Sequence, residues 1–337
     1  MINVSLELLM SITIAIFFLK GKFLEDKRNI FSRFTTESMK GLAMIAIMLH
    51  HIRNSLEASS FVLGATGYIG TGIFFLISGY GNELSLRKTD NTTFKWLWKK
   101  IKKIYLPFLA CYILWEGFYL FFQDGQLDFF AILEDLLTIS LPNMINWFPK
   151  IILLCFLLHW ISIKGNKENR KRVTIISCIF LVYVLVLKVT HISDYWYLSV
   201  MCYPLGIMLA NKDSFVSYEM QNKKINCLLC VGGFGVSVAL LILSKNLSII
   251  KIIVAMSFSI SLYIYSNIFE VKTKILAWVG SNSFEFYLFH LLVIQCLYGL
   301  VNINWELYII SVFVGSFSLV FSYNLVKNKI EKYFKTL

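Results

Sequence analysis

Eleven apolar runs divide the chain, at roughly residues 4–20, 38–53, 64–83, 104–122, 147–163, 173–190, 195–211, 225–243, 248–267, 283–301 and 305–325. A helix rising 1.5 Å per residue needs about 20 apolar residues to cross a bilayer core, and most of the runs approach that length. With 57% hydrophobic and 15% charged residues, the whole chain has the composition of a polytopic membrane protein. The expected fold is all-α, a transmembrane bundle of about eleven helices.

The connections between the runs alternate in charge. One set carries 27 of the 32 basic residues; the other holds only Arg53, Lys150, Lys188, Lys245 and Lys251. Basic residues mark the cytoplasmic side, so the pattern sets the N-terminus outside and the C-terminus inside. The net charge of +12 is thereby assigned to topology and anionic lipid rather than to nucleic acid. Residues 1–20 lack a basic leader, contain Glu7 and are followed by Lys and Arg. They read as an N-out anchor, not a cleaved signal. Residues 1–34 are then an anchor with its cytoplasmic loop, and 35–337 one membrane domain with a short basic tail. The seven cysteines lie in or beside apolar runs, and the lone Cys227–Cys230 CxxC has no second pair. They read as small buried hydrophobes, and no metal site is expected.

Chemistry concentrates in the second run. Lys40 and His51 are eleven residues apart, about three helical turns, so they fall on one face. Glu37, three residues before Lys40, shares that stripe. Ionisable groups at membrane depth are functional candidates by default. His51 suits proton transfer from a hydroxyl, or it simply ends the helix at the interface; His50 points about 80° away. The third run carries Gly67, Gly70, Gly72, Ser78, Gly79, Tyr80 and Gly81. Such small residues admit close approach of a helix or a substrate. Ser78 is in no GxSxG elbow and is not expected to be a nucleophile.

The stretch from Phe94 to Pro107 is basic and aromatic, with Lys99, Lys100, Lys102 and Lys103. It fits a membrane-surface helix on anionic lipid, or a clamp for phosphates of an anionic cofactor. The connection 123–146 is acidic, with Asp124, Asp128, Glu134 and Asp135. It could shape an acceptor site or cap the bundle. His159 is expected to pack or to bond at the inner interface. His290 and Glu285 are five residues apart and do not face each other closely.

These residues together resemble the acyltransferase-3 family of integral membrane proteins. The resemblance rests on Glu37, Lys40-x10-His51, the Gly70–Tyr80 segment, the basic run into Pro107, Trp147-Phe148 and the Ser283–His290 segment. It covers about residues 35–325. It implies a ten-helix core, here with an extra N-terminal helix. It also implies transfer of an acyl group, often acetyl, from coenzyme A to a sugar hydroxyl of a surface glycan. Where the family usually has Arg, this chain has Lys40, which keeps the charge and loses the bidentate fork. Its usual Asp is Glu37, and its Arg-rich motif is here all Lys.

The site expected on that basis has His51 as general base, with Lys40 and Glu37 on the same face. Lys99, Lys100 and Lys103 hold the phosphates of acetyl-CoA. Ser78, Tyr80, Trp147 and His290 bind or position substrate. An acetyl-histidine intermediate is a second route. The partners are a glycan or lipid-linked sugar acceptor, acyl-CoA and membrane lipids, with no nucleic acid. The expected location is a bacterial plasma membrane. The competing class is a glycan transporter without acyl transfer, with Glu116, Glu285 and His290 on a proton path.

Overall fold

The computed structural model describes residues 2–23, 31–88, 94–122, 128–140, 147–165, 169–219, 223–244, 247–298 and 304–336. Helices dominate: α1 (Ile2–Leu19), α2 (Arg33–Ser55), α3 (Phe61–Lys88), α4 (Phe94–Phe122), α5 (Phe129–Thr138), α6 (Trp147–Gly165) and α7 (Asn169–Val189). They continue as α8 (Cys202–Glu219), α9 (Lys223–Leu243), α10 (Ser248–Ile268), α11 (Lys274–Ser281), α12 (Ser283–Tyr298) and α13 (Trp305–Thr336). Among the described residues, seven helices are long and apolar enough to cross a membrane: α1, α3, α4, α7, α9, α10 and α13. Trp147–Ile163 and Ser283–Leu297 are shorter apolar helices.

Two apolar runs need different descriptions. The run at 195–211 is not helical from its start: a single 3-10 turn at Asp194–Trp196 precedes α8. Helix α2 is not among the seven apolar helices. Arg33, Glu37, Lys40, His50, His51 and Arg53 dilute its hydropathy. A helix carrying that many ionisable groups is held by protein on its sides, and α2 packs against α1, α3, α11 and α12.

Small residues set how closely α2 and α3 meet their neighbours. A Cβ on Gly41 would strike the Leu276 carbonyl, and one on Gly280 the Glu37 carbonyl, so α2 and α11 are in backbone contact. Gly79 against Tyr203, and Gly206 against Leu76, do the same for α3 and α8. This is the small-residue packing that lipid-embedded helices use in place of a hydrophobic drive. Helix α11 is a short element in what the charge pattern presents as a plain connection. Its eight residues cannot span a bilayer, and it lies against the start of α2 instead.

Two three-residue strands, β1 (Gly21–Phe23) and β2 (Phe269–Val271), pair antiparallel, with Lys22 opposite Glu270. They are the one departure from an all-α chain among the described residues. They fasten the connection after α1 to the connection after α10. Ser38 and Thr35 of α2 join them, the Ser38 hydroxyl donating to the Val271 carbonyl at 3.3 Å and the Val271 amide to Thr35 Oγ1 at 3.2 Å. Glu7 inside α1 is accounted for at the opposite end, where it accepts from the Ser60 hydroxyl at 2.5 Å.

Of the acidic connection, residues 128–140 are described and form α5 at Phe129–Thr138; Asp124 lies outside the described residues. Asp128 caps α5, its Oδ1 accepting from the Phe130 amide at 2.9 Å. Tyr112 of α4 donates to Asp135 at 3.3 Å. The end of α5 is thereby tied to α4, and none of its described residues lines either cavity described below.

Candidate active site

Two cavities of about 540 Å³ each lie on either side of one constriction. Helix α2 is the wall common to both. Lys40, Ile47 and His51 occupy one helical stripe. Lys40 lines the first cavity, His51 the second, and Ile47 both. Thr71 of α3 and Tyr287 of α12 are also shared, so these three residues form the throat.

The first cavity is cationic. Arg33, Lys40, Lys100 and Lys103 line it, with Glu285 as its carboxylate. Glu285 lies 3.7 Å from Lys327 of α13. Lys100 sits over the Trp96 ring at 5.3 Å. Glu37 does not line the cavity; it accepts from Arg33 Nε at 2.8 Å. That hydrogen bond and charge raise the pKa of the exposed Arg33 guanidinium. Ser78 and Tyr80 both line this cavity, and Tyr80 packs against Phe31 with ring centroids 4.6 Å apart. Lys99 is exposed on another side of α4 and lines neither cavity. Helical phase separates it from Lys100 and Lys103, which are three residues apart and share a face.

The second cavity holds His50, His51 and Trp147, with Tyr68 and Tyr195 as further aromatic walls. The adjacent histidines differ in state. His50 Nδ1 donates to the Leu63 carbonyl at 3.0 Å. Its Nε2 then accepts from Asn54 at 3.1 Å. Gly67 lies under this ring, where any Cβ would meet it at 2.8 Å. His50 is thus committed to the α2–α3 contact. His51 makes no hydrogen bond among the described residues, so its nitrogens are free for a ligand.

Behind His51 stands His290 of α12, fully buried, with ring centroids 5.2 Å apart. His290 Nδ1 donates to the Phe286 carbonyl at 2.7 Å. That bond fixes the tautomer and leaves Nε2 as a lone pair. This Nε2 is buried without a partner. In the throat, the Tyr287 ring packs on Phe148 of α6 with centroids 5.4 Å apart. Thr71 is already committed, donating to Ser199 at 2.9 Å.

A buried polar cluster stands beside the first cavity. Glu83 accepts from Arg172 at 2.7 Å and pairs with His159 at 3.0 Å. His159 Nδ1 meets the Tyr203 hydroxyl at 3.1 Å, and Asn82 donates to that same hydroxyl at 3.0 Å. Asn82 also lines the cavity. Sequence reasoning placed Arg172 with the solvated basic connections and did not single out Glu83 or Tyr287. Glu83 carries a signal, a lone carboxylate at the end of an apolar run, but its partners lie on other helices.

Among the described residues no group of His, Cys, Asp or Glu is placed to hold a metal ion. No curated protein and no solved structure matches the chain. A family model does, that of the acyltransferase domain, over residues 37–325. This span includes Lys40, Lys100 and Lys103 of the first cavity and His50, His51 and Trp147 of the second, and the chain belongs to the acyltransferase-3 family of membrane acyltransferases.

Proposed function

We propose that this membrane acyltransferase carries an acyl group, taken as acetyl, from cytoplasmic acyl-CoA to a hydroxyl of a cell-surface or lipid-linked glycan at a bacterial plasma membrane. One observation carries the reading: two chambers of equal size share a throat and differ in chemistry. The chamber with Lys40, Lys100 and Lys103 suits a phosphate-bearing donor, lysines acting as point charges. The charge pattern puts that chamber on the cytoplasmic side, where acyl-CoA is made. The other chamber, with aromatic walls and a free imidazole, suits a sugar hydroxyl arriving from outside.

In this reading the donor phosphates rest near Lys100 and Lys103, with Arg33 held at the mouth by Glu37. The pantetheine arm passes Ser78 and Tyr80 and brings the thioester to the throat. His51 takes the proton of the acceptor hydroxyl as its oxygen attacks the carbonyl carbon. The attack forms a tetrahedral oxyanion in the throat, beside Tyr287. The intermediate collapses, the carbon–sulfur bond breaks, and the proton on His51 passes to the coenzyme A sulfur. His290, packed behind His51 with ring centroids 5.2 Å apart, holds the imidazole of His51 in position.

The test is transfer in proteoliposomes with acetyl-labelled acetyl-CoA and a glycan acceptor inside. Label in the glycan, matched by released coenzyme A thiol and lost in His51→Ala, supports the reading. Glycan movement independent of coenzyme A, or full transfer by correctly inserted His51→Ala, overturns it.

A further inference from the structure

Arg53 is one of only five basic residues on the outward set of connections, and Lys251 is another; both line the second cavity. Positive charge is scarce on that side, so its concentration around one chamber calls for a cause. Lys251 is accounted for by Asp194, at 3.1 Å. Asp194 is the cavity's only lining carboxylate, so Arg53 remains without an acidic partner among the described residues. Its Nη1 donates sideways to Asn54 Oδ1 at 2.8 Å. Its Nε is buried with no acceptor. The guanidinium lies beside Gly64, its Cζ 4.0 Å from where a Cβ would stand.

A buried donor left without an acceptor is destabilising, and a guanidinium's Nε–Nη2 edge matches the two oxygens of a carboxylate or phosphate. Arg53 is two residues from His51, at the same end of α2. A sugar bound with its anionic group on Arg53 and its ring against Trp147 or Tyr195 would therefore keep a hydroxyl near the imidazole.

We infer that the second chamber selects an anionic glycan, one bearing a carboxylate or a phosphate next to the hydroxyl that is acylated, through the Nε–Nη2 edge of Arg53. This rests on the acyl-transfer reading for what happens to the sugar, but not for its binding. A carboxylate sugar and a glycosyl phosphate present the same oxyanion chemistry to this edge.

The experiment measures both binding and transfer on the full chain in proteoliposomes. Three labelled probes of similar size are compared: a neutral oligosaccharide, the same oligosaccharide ending in a hexuronic acid, and its glycosyl phosphate. Binding is read by equilibrium dialysis without donor, at low and high salt. Binding of one or both anionic probes tighter than the neutral one by about ten-fold or more, and weakened by salt, is expected. Arg53→Gln should remove that preference and leave neutral-probe binding unchanged. Arg53→Lys, which keeps the charge without the fork, should retain part of it and serves if the glutamine variant is poorly inserted. Whichever anionic probe is preferred identifies the source of the oxyanion. Equal binding of all three probes, or a preference that survives both variants, overturns the inference whatever the transfer assay gives. Anionic preference in binding without acyl transfer to any probe keeps this inference and sinks the enzyme reading.

Discussion

The imidazoles of His51 and His290 face each other across the α2–α12 contact with ring centroids 5.2 Å apart. One lines the second cavity and makes no hydrogen bond among the described residues; the other is buried, with Nδ1 committed to the Phe286 carbonyl and Nε2 bare. The pair supplies an imidazole that can act and a buried ring packed behind it that holds it in place.

Replacing His51 by Ala should lower transfer by about 10²-fold or more, the usual worth of a positioned base. His290→Ala should lower kcat by about ten-fold while leaving KM for acyl-CoA nearly unchanged, since His290 lines neither cavity. Steady-state kinetics on matched amounts of inserted protein separate the two effects. An equal rise in KM for the donor would remove His290 from the orienting role.

Lys100 and Lys103 line the first cavity whereas Lys99 does not. Lys100→Ala and Lys103→Ala are each expected to raise KM for acyl-CoA by about ten-fold, the worth of one charge-assisted bond. Lys99→Ala should change it less than two-fold, as an exposed charge largely screened by salt would. Donor titration at fixed acceptor checks this ordering.

The Glu83–Arg172 pair is buried at both ends, the side chains being 0% and 8% exposed. Arg172→Met leaves the buried Glu83 carboxylate without its guanidinium partner and should cost about 3–5 kcal/mol. The double variant Glu83→Gln with Arg172→Met removes the stranded charge and should recover much of that loss. Thermal unfolding in detergent measures both. Two single losses that simply add would mean that the pair is not coupled.

Gly280→Ala drives a methyl into the Glu37 carbonyl. Helix α11 must then leave the start of α2, where Lys40 and Arg33 line the first cavity. A stability loss of about 1–3 kcal/mol is expected, with a raised KM for the donor. Gly81→Ala, where a Cβ meets nothing within 4 Å, is the matched control for stability.

What the chain's own order of residues determined is whatever lies within one helix. The apolar runs, their basic connections and the common face of Lys40 and His51 follow from the helical repeat and from the expense of charge in lipid. The same arithmetic separates His51 from His50, and places Lys100 and Lys103 together with Lys99 aside. What only the tertiary structure decided lies between helices. His290 is 239 positions from His51, and Glu83 meets an arginine 89 positions away. No period links such residues; helix crossings at Gly41, Gly79, Gly206 and Gly280 bring their backbones together. Those crossings turn one stripe on α2 into the wall of two chambers, with Lys40 in one, His51 in the other and Ile47 at the throat.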